Sequence, residues 1–326
     1  LKWETTTTYN VGLDFGFFNN RLTGSIDGYF RKTKDLLNYA PFASMQGYRN
    51  RAWQNIGSLE NRGIELSLSW KAVQTKDWFW TLNYNLAYND NEITDLNGVS
   101  ENGAPVENSS SKIGQGSGAY VQYNQVGYAA NSFYVYQQVY DEAGMPIENC
   151  VVDRNGDGKI SDDDRYFYKS PAAPVTMGFS SRLEYKNWDF GFSLRASIGN
   201  YVFDNVTSGR SNLNPADIWY LNKLVNRPTA VLARNWQTYE ITSKASDYYV
   251  HNASFLKCDN ITLGYSFENL LKQGGWHGLS GRVYATVSNV FTITKYDGMD
   301  PEVTSGIDND LYPRPISFIV GVNLNF

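Results

Sequence analysis

Period-two alternation constrains this chain more than any other feature. In WFWTLNYNLAY, Trp78, Trp80, Leu82, Tyr84, Leu86 and Tyr88 share one face, while Thr81, Asn83, Asn85 and Ala87 share the other. GIELSLSW sets Ile64, Leu66, Leu68 and Trp70 against Glu65, Ser67 and Ser69. TYNVGLDFGFF does the same with Tyr9, Val11, Leu13 and Phe15, and ISFIVGVNLNF with Ile316, Phe318, Val320, Val322, Leu324 and Phe326. About ten such segments lie near 5–16, 20–33, 62–73, 78–91, 119–127, 175–186, 188–200, 253–267, 281–294 and 315–326. Many exceed the usual strand of about five or six residues. They suit a tilted membrane crossing, which needs roughly nine to eleven.

The connections fall into two sizes. Tight hairpins are expected around FFNNR, VQTKD and KNW, and long links at about 34–61, 92–118, 128–174, 201–252 and 295–314. Short periplasmic turns at one end and long extracellular loops at the other are the polarity of outer-membrane barrels. The expected fold is therefore all-β, an antiparallel transmembrane barrel wall. A secreted carbohydrate-binding β-sandwich also shows one apolar face per strand and is the alternative. Polar faces packed against a second sheet would favour it.

Composition agrees with both. Aromatic residues supply 15% of the 326 residues and charged ones only 19%, which argues against disorder. A formal charge of −5 with scattered Lys and Arg leaves no basic face for nucleic acid. No apolar run is long enough for a transmembrane helix, and a mean hydropathy of −0.45 is what alternating strands produce. Cys150 and Cys258 are expected to be free thiols, and His251 and His277 ordinary loop residues. The chain opens at Leu1 without a signal segment, so either processing removed the start or it is a piece of something larger.

One motif stands out. DRNGDGKISDDD has the oxygen spacing of a calcium loop: Asp153, Asn155 and Asp157 give side-chain oxygens, Lys159 its carbonyl, Ser161 a hydroxyl or bound water, and Asp164 the closing carboxylate. Its flanks carry no helical period, and Asp in place of Glu at the last position weakens bidentate closure. The same string also reads as an exposed acidic turn without metal. GQGSGA at 114–119 lacks a following helix and reads as a flexible loop. NPADIWYLNKLV predicts a short helix capped by Asn214 with Pro215 at its first position and Ile218, Leu221 and Leu224 as its apolar stripe. Trp219, Tyr220, Trp236 and Tyr239 around it are candidate contacts for substrate or partner, or the loop's own packing. No nucleophile elbow, P-loop or H-E-x-x-H occurs, so no enzyme template is matched.

Several stretches in order carry a resemblance: LKWETTTTYNVGLDFGFFNNRLTGSIDGYFRKTKDLL, NIGSLENRGIELSLSW, DRNGDGKISDDDR, ASFLKCDNITLGYSF, NVFTITKYDGMDPEV and GIDNDLYPRPISFIVGVNLNF. Together they resemble the C-terminal barrel half of SusC-like (RagA-like) TonB-dependent transporters of Bacteroidetes. The resemblance implies a barrel of about 22 strands with a plugged lumen, of which this chain supplies roughly the last ten. It implies an outer-membrane location, TonB-driven import of an oligosaccharide or an oligopeptide, and a SusD-like surface lipoprotein over the loops. The plug and the TonB-contacting segment are not visible in this chain. Ca2+ in the 153–164 loop would then rigidify an extracellular excursion, and the terminal Phe326 resembles a barrel-assembly signal.

Overall fold

The computed structural model describes residues 1–41, 51–55, 57–96, 105–107, 111–113, 119–210, 229, 236, 244–270, 278–309 and 311–325. Nine long strands form one sheet: β1 Thr5–Phe17, β2 Leu22–Lys34, β3 Ser58–Gln74, β4 Trp78–Asp95, β5 Val175–Tyr185, β6 Trp188–Ile198, β7 Phe255–Leu270, β8 Leu279–Thr294 and β9 Ser317–Asn325. Each pairs antiparallel with its neighbour in sequence, so the order is a pure meander. Among the described residues β1 pairs only with β2 within this sheet, and β9 only with β8. The tenth alternating segment, 119–127, is not in this sheet. It supplies the short strands Ala119–Tyr120 and Gln122–Asn124 inside a long connection.

The register stacks the alternating faces across all nine strands. One row runs Leu13, Ile26, Leu66, Leu86, Met177 and Ala196. Near the tight turns another row is aromatic: Trp78, Tyr185, Trp188 and Tyr265, with ring centroids 4.2 Å apart for the first pair and 4.8 Å for the last. Toward the opposite edge Tyr88 sits between Ile64 and Val175. Val175 to Tyr185 is ten steps, about 33 Å at roughly 3.3 Å per residue. A tilt of roughly 40° reduces that to about 25 Å, the height of the apolar band of an outer-membrane barrel. Apolar side chains remain exposed along this face, with Val11 80%, Phe318 77% and Val320 77% accessible.

The other face is polar and bonded across strands. Asn83 donates to Ser180 Oγ at 3.2 Å, Thr262 and Thr286 hydroxyls meet at 2.9 Å, and Arg282 forks onto Asp189 at 2.8 and 2.6 Å. Gly321 lies opposite Tyr284, whose ring occupies the space a Cβ would need. A glycine there lets the ring lie flat on the sheet. The sandwich alternative is overturned here. It needs a second large sheet against this polar face, and among the described residues the remaining sheets have only two to four strands and lie in the connections.

Turns and links segregate by end. Residues 18–21 join β1 to β2, 75–77 join β3 to β4, and 186–187 join β5 to β6. In the first turn Phe18, Asn19 and Asn20 hold φ of 57°, 53° and 60°, a left-handed run that asparagine tolerates better than most residues. Stretches 35–57, 96–174, 199–254 and 295–316 all leave from the other edge. No helix among the described residues is long and apolar enough to cross a membrane.

Candidate functional site

The long links do not hang separately. Ser132–Tyr136 pairs with Arg165–Phe167 and with Gln122–Asn124. Tyr201–Asp204 pairs antiparallel with Val250–Asn252 and parallel with Ile307–Asp308. The second and third connections thus share a sheet, the first bridges to the second at Tyr136 and Ser246, and all three share a core: Ile113, Val121, Phe133 and Val135 from the first, Phe203, Tyr249 and Val250 from the second, Ile307 from the third. Phe133, Phe203 and Tyr249 are fully buried. These links form one lobe with its own hydrophobic centre, because short β-branched and aromatic runs such as SFYVY and YVF close over one another.

An ionic lock joins lobe to wall. Arg195 of β6 forks onto Glu302, with Nη2 to Oε2 at 2.8 Å, and its Nε donates to Asp259 at 2.8 Å. Lys257 of β7 reaches Asp300 at 2.7 Å and Glu302 at 3.0 Å. Arg314 closes on Asp300 at 3.1 Å and Glu302 at 3.0 Å. Three positive and three negative groups balance, and only mutual pairing makes burial of Lys257 and Asp300 tolerable. Irregular pairing between Cys258 and Asn260 of β7 accompanies the reach of Asp259 toward Arg195. Arg195, followed by Lys257, draws the Glu302 carboxyl down to about 2 against the opposing effect of burial. A cavity of about 270 Å³ lies beside the lock, lined by Met177, Asn200, Phe255 and Thr304 among others.

The 153–164 stretch forms a tight loop of the lobe. Asp153 accepts backbone N–H groups of Gly156 at 2.7 Å and Gly158 at 2.8 Å, Asn155 accepts from Asp157 at 2.9 Å, and Asp157 from Lys159 at 2.8 Å. Asp164 is buried and accepts from Arg154, Asn155 and Ser161 at 2.8, 3.3 and 2.8 Å. The Ser161 N–H, with those of Asn155 and Arg154, holds its carboxyl below the usual carboxylate range. Ser161 and Asp164 form a capping box on the turn Asp162–Asp164. Among the described residues no three His, Cys, Asp or Glu side chains converge as a metal cage. The backbone N–H ladder orients the oxygens without drawing them together.

Of the aromatic candidates, Trp236 is 4% exposed and packs in the lobe core, its ring 6.1 Å from Tyr248. That burial fits the second of its two readings, the loop's own packing. Trp219, Tyr220, Tyr239, His277, Phe326, residues 114–118 and the 214–224 helix lie outside the described residues. His251 sits on a short lobe strand rather than in a loop, 6.2 Å from Tyr296. Cys150 and Cys258 are free, the first exposed and the second buried. The ionic lock escaped sequence reasoning because its members come from four separated stretches, and nothing local pairs Lys257 with Glu302.

Comparison with known proteins agrees with this architecture. The family model of the TonB dependent receptor-like β-barrel matches residues 1–149. TonB-dependent receptor SusC of Bacteroides thetaiotaomicron is 53% identical over the whole chain, which covers 32% of that receptor. TonB-dependent receptor P3 of Formosa agariphila is 30% identical, with 100% of this chain and 34% of the receptor covered. Among solved structures, that of the RagAB peptide transporter superposes with a TM-score of 0.77 at 27% identity, covering 100% of this chain and 36% of that one. The chain spans about a third of the length of the curated relatives it matches. Those relatives are receptors rather than enzymes. The chain belongs to the SusC-like TonB-dependent receptors of the outer membrane, of whose β-barrel it forms a part.

Proposed function

We propose that this chain is the wall and outer lobe of an importer that moves an oligosaccharide across the outer membrane, driven through TonB. The observation that carries the reading is the lobe locked onto the polar face: a folded, water-exposed cap fixed where a lumen would open. The four long links, at about 34–61, 92–174, 201–252 and 295–314, face outward from the cell, and a SusD-like lipoprotein covers them. Contact with TonB belongs to parts of the receptor other than this wall.

The full-length receptor, restored to cells lacking it, is expected to import a fluorescent hexasaccharide only while the inner membrane is energised. A lipoprotein is expected to co-purify in mild detergent. Uptake of labelled oligopeptides and of no saccharide would favour a second reading, an oligopeptide importer, which the likeness to the RagAB peptide transporter supports.

Ca2+ in the 153–164 loop is part of the same proposal, supported by the motif and by the N–H ladder that fixes its oxygens. The carboxylates would draw inward around the ion. Ca2+ added after chelation is expected to raise the melting temperature of the wild-type lobe and not that of Asp157→Ala. No shift in the wild type would contradict it.

A further inference from the structure

We propose that Asp247, Tyr140 and Tyr168, rimmed by Arg154 and Lys169, form a saccharide-binding platform on the outside of the lobe. This inference rests on the oligosaccharide reading above. Asp247 opens the turn Asp247–Tyr249. Its Oδ1 accepts the Gln138 N–H at 2.9 Å and its Oδ2 the Tyr166 hydroxyl at 2.6 Å. A carboxylate has about four lone-pair sites. Two donors therefore fix its orientation and leave acceptor capacity on a half-buried group, as a pair of neighbouring sugar hydroxyls requires.

Two tyrosines beside it are exposed rather than packed away. Tyr140 is 47% and Tyr168 38% accessible, whereas Tyr136 and Tyr249 of the same lobe are buried. Tyr140 lies 6.4 Å from Tyr248, and Tyr168 lies 5.7 Å from Tyr166 and 6.5 Å from Tyr201. Exposed rings of this kind offer the apolar C–H face of a pyranose a flat surface. Partial burial of this half-exposed side chain, followed by the charge of Asp247, pushes the Tyr140 phenol up to about 12, so it remains a neutral donor at any working pH. Arg154 stands 4.5 Å over the Tyr166 ring, and Lys169 stands 5.5 Å and 5.3 Å from those of Tyr168 and Tyr201. Donors thus flank an acceptor beside rings. A polyol, which is donor and acceptor at every hydroxyl, satisfies that pattern, and an aliphatic ligand does not.

The test is calorimetric titration of the full-length receptor, with whatever lipoprotein co-purifies, against cellohexaose, maltohexaose, xylohexaose and mannohexaose. At least one should bind. Tyr140→Ala and Tyr168→Ala should each weaken that sugar at least tenfold, Tyr168→Phe should restore it, and Tyr312→Ala, an exposed ring elsewhere, should leave it unchanged. Equal binding by wild type and both alanine variants would overturn the platform and leave the oligosaccharide reading intact. Binding of a mixed oligopeptide pool with no response to any hexasaccharide would overturn both.

Discussion

Wall and lobe are both β-structure, yet they are stabilised in opposite ways. The wall has strands of nine to 18 residues in a long ladder, and its apolar face stays open. The lobe has strands of two to six residues and, among the described residues, holds most of the fully buried apolar side chains, including Phe133, Val135, Phe203 and Tyr249. In lipid a strand must satisfy its backbone groups but gains nothing by hiding leucine from a hydrocarbon solvent. In water short strands persist only if they close over a core. Long alternation with an exposed apolar face therefore marks the lipid-bathed region, and short strands with complete burial mark the water-bathed one.

That contrast can be broken most forcefully in the lobe core. Phe203→Ala should cost about 3–5 kcal/mol and unfold the lobe, abolishing capture of the lipoprotein proposed above. The barrel should still migrate as a folded species in unheated detergent gels. Concerted loss of both would mean that the two regions are not energetically separate.

Next in size is the wall's lipid face. Leu82→Arg, near mid-height, should cost about 2–4 kcal/mol in vesicle refolding. Its sequence neighbour Asn83→Lys, on the polar face, should cost less than about 1 kcal/mol. Equal costs would erase the distinction between faces.

The lock should respond to acid. Glu302 has a folded pKa of about 2, below its ordinary value. A depressed carboxylate contributes stability that is present above the unfolded pKa and lost as pH falls through the folded one. Amide exchange in residues 295–309 should thus be slow and flat from pH 7 to about 5 after correction for intrinsic rates, then rise between roughly 4.5 and 2. Glu302→Gln should remove that rise. The smallest expected effect is at the acidic loop, where Ser161→Ala should cost about 1 kcal/mol through loss of the cap, read as a lower lobe melting temperature.

The wall was legible because one residue in two reports its environment, and nine of the alternating segments match β1–β9 to within a few residues. The tenth, at 119–127, alternates because AYVQYN supplies strands to two small lobe sheets, and length cannot separate that from a crossing. Antiparallel parity excludes it: a strand there would send the links 92–118 and 128–174 to opposite edges. The lobe core was legible only as isolated runs, SFYVY and YVF, whose partners are distant in sequence. Trp236 illustrates the cost, since an aromatic residue in a polar link reads equally as a binding surface or as packing until its neighbours are placed. The same holds for Lys257 and Glu302, 45 residues apart, which meet only once β7 and the link after β8 are folded together.

The central claim, that the lobe faces outward from a membrane-embedded wall, meets its most direct test in the two native thiols. Intact cells would be treated with a membrane-impermeant maleimide. The account expects modification of exposed Cys150 and none of buried Cys258, with the Cys150 adduct absent in Cys150→Ser. A Cys150 that reacts only after the outer membrane is breached would place the lobe on the periplasmic side and contradict the account.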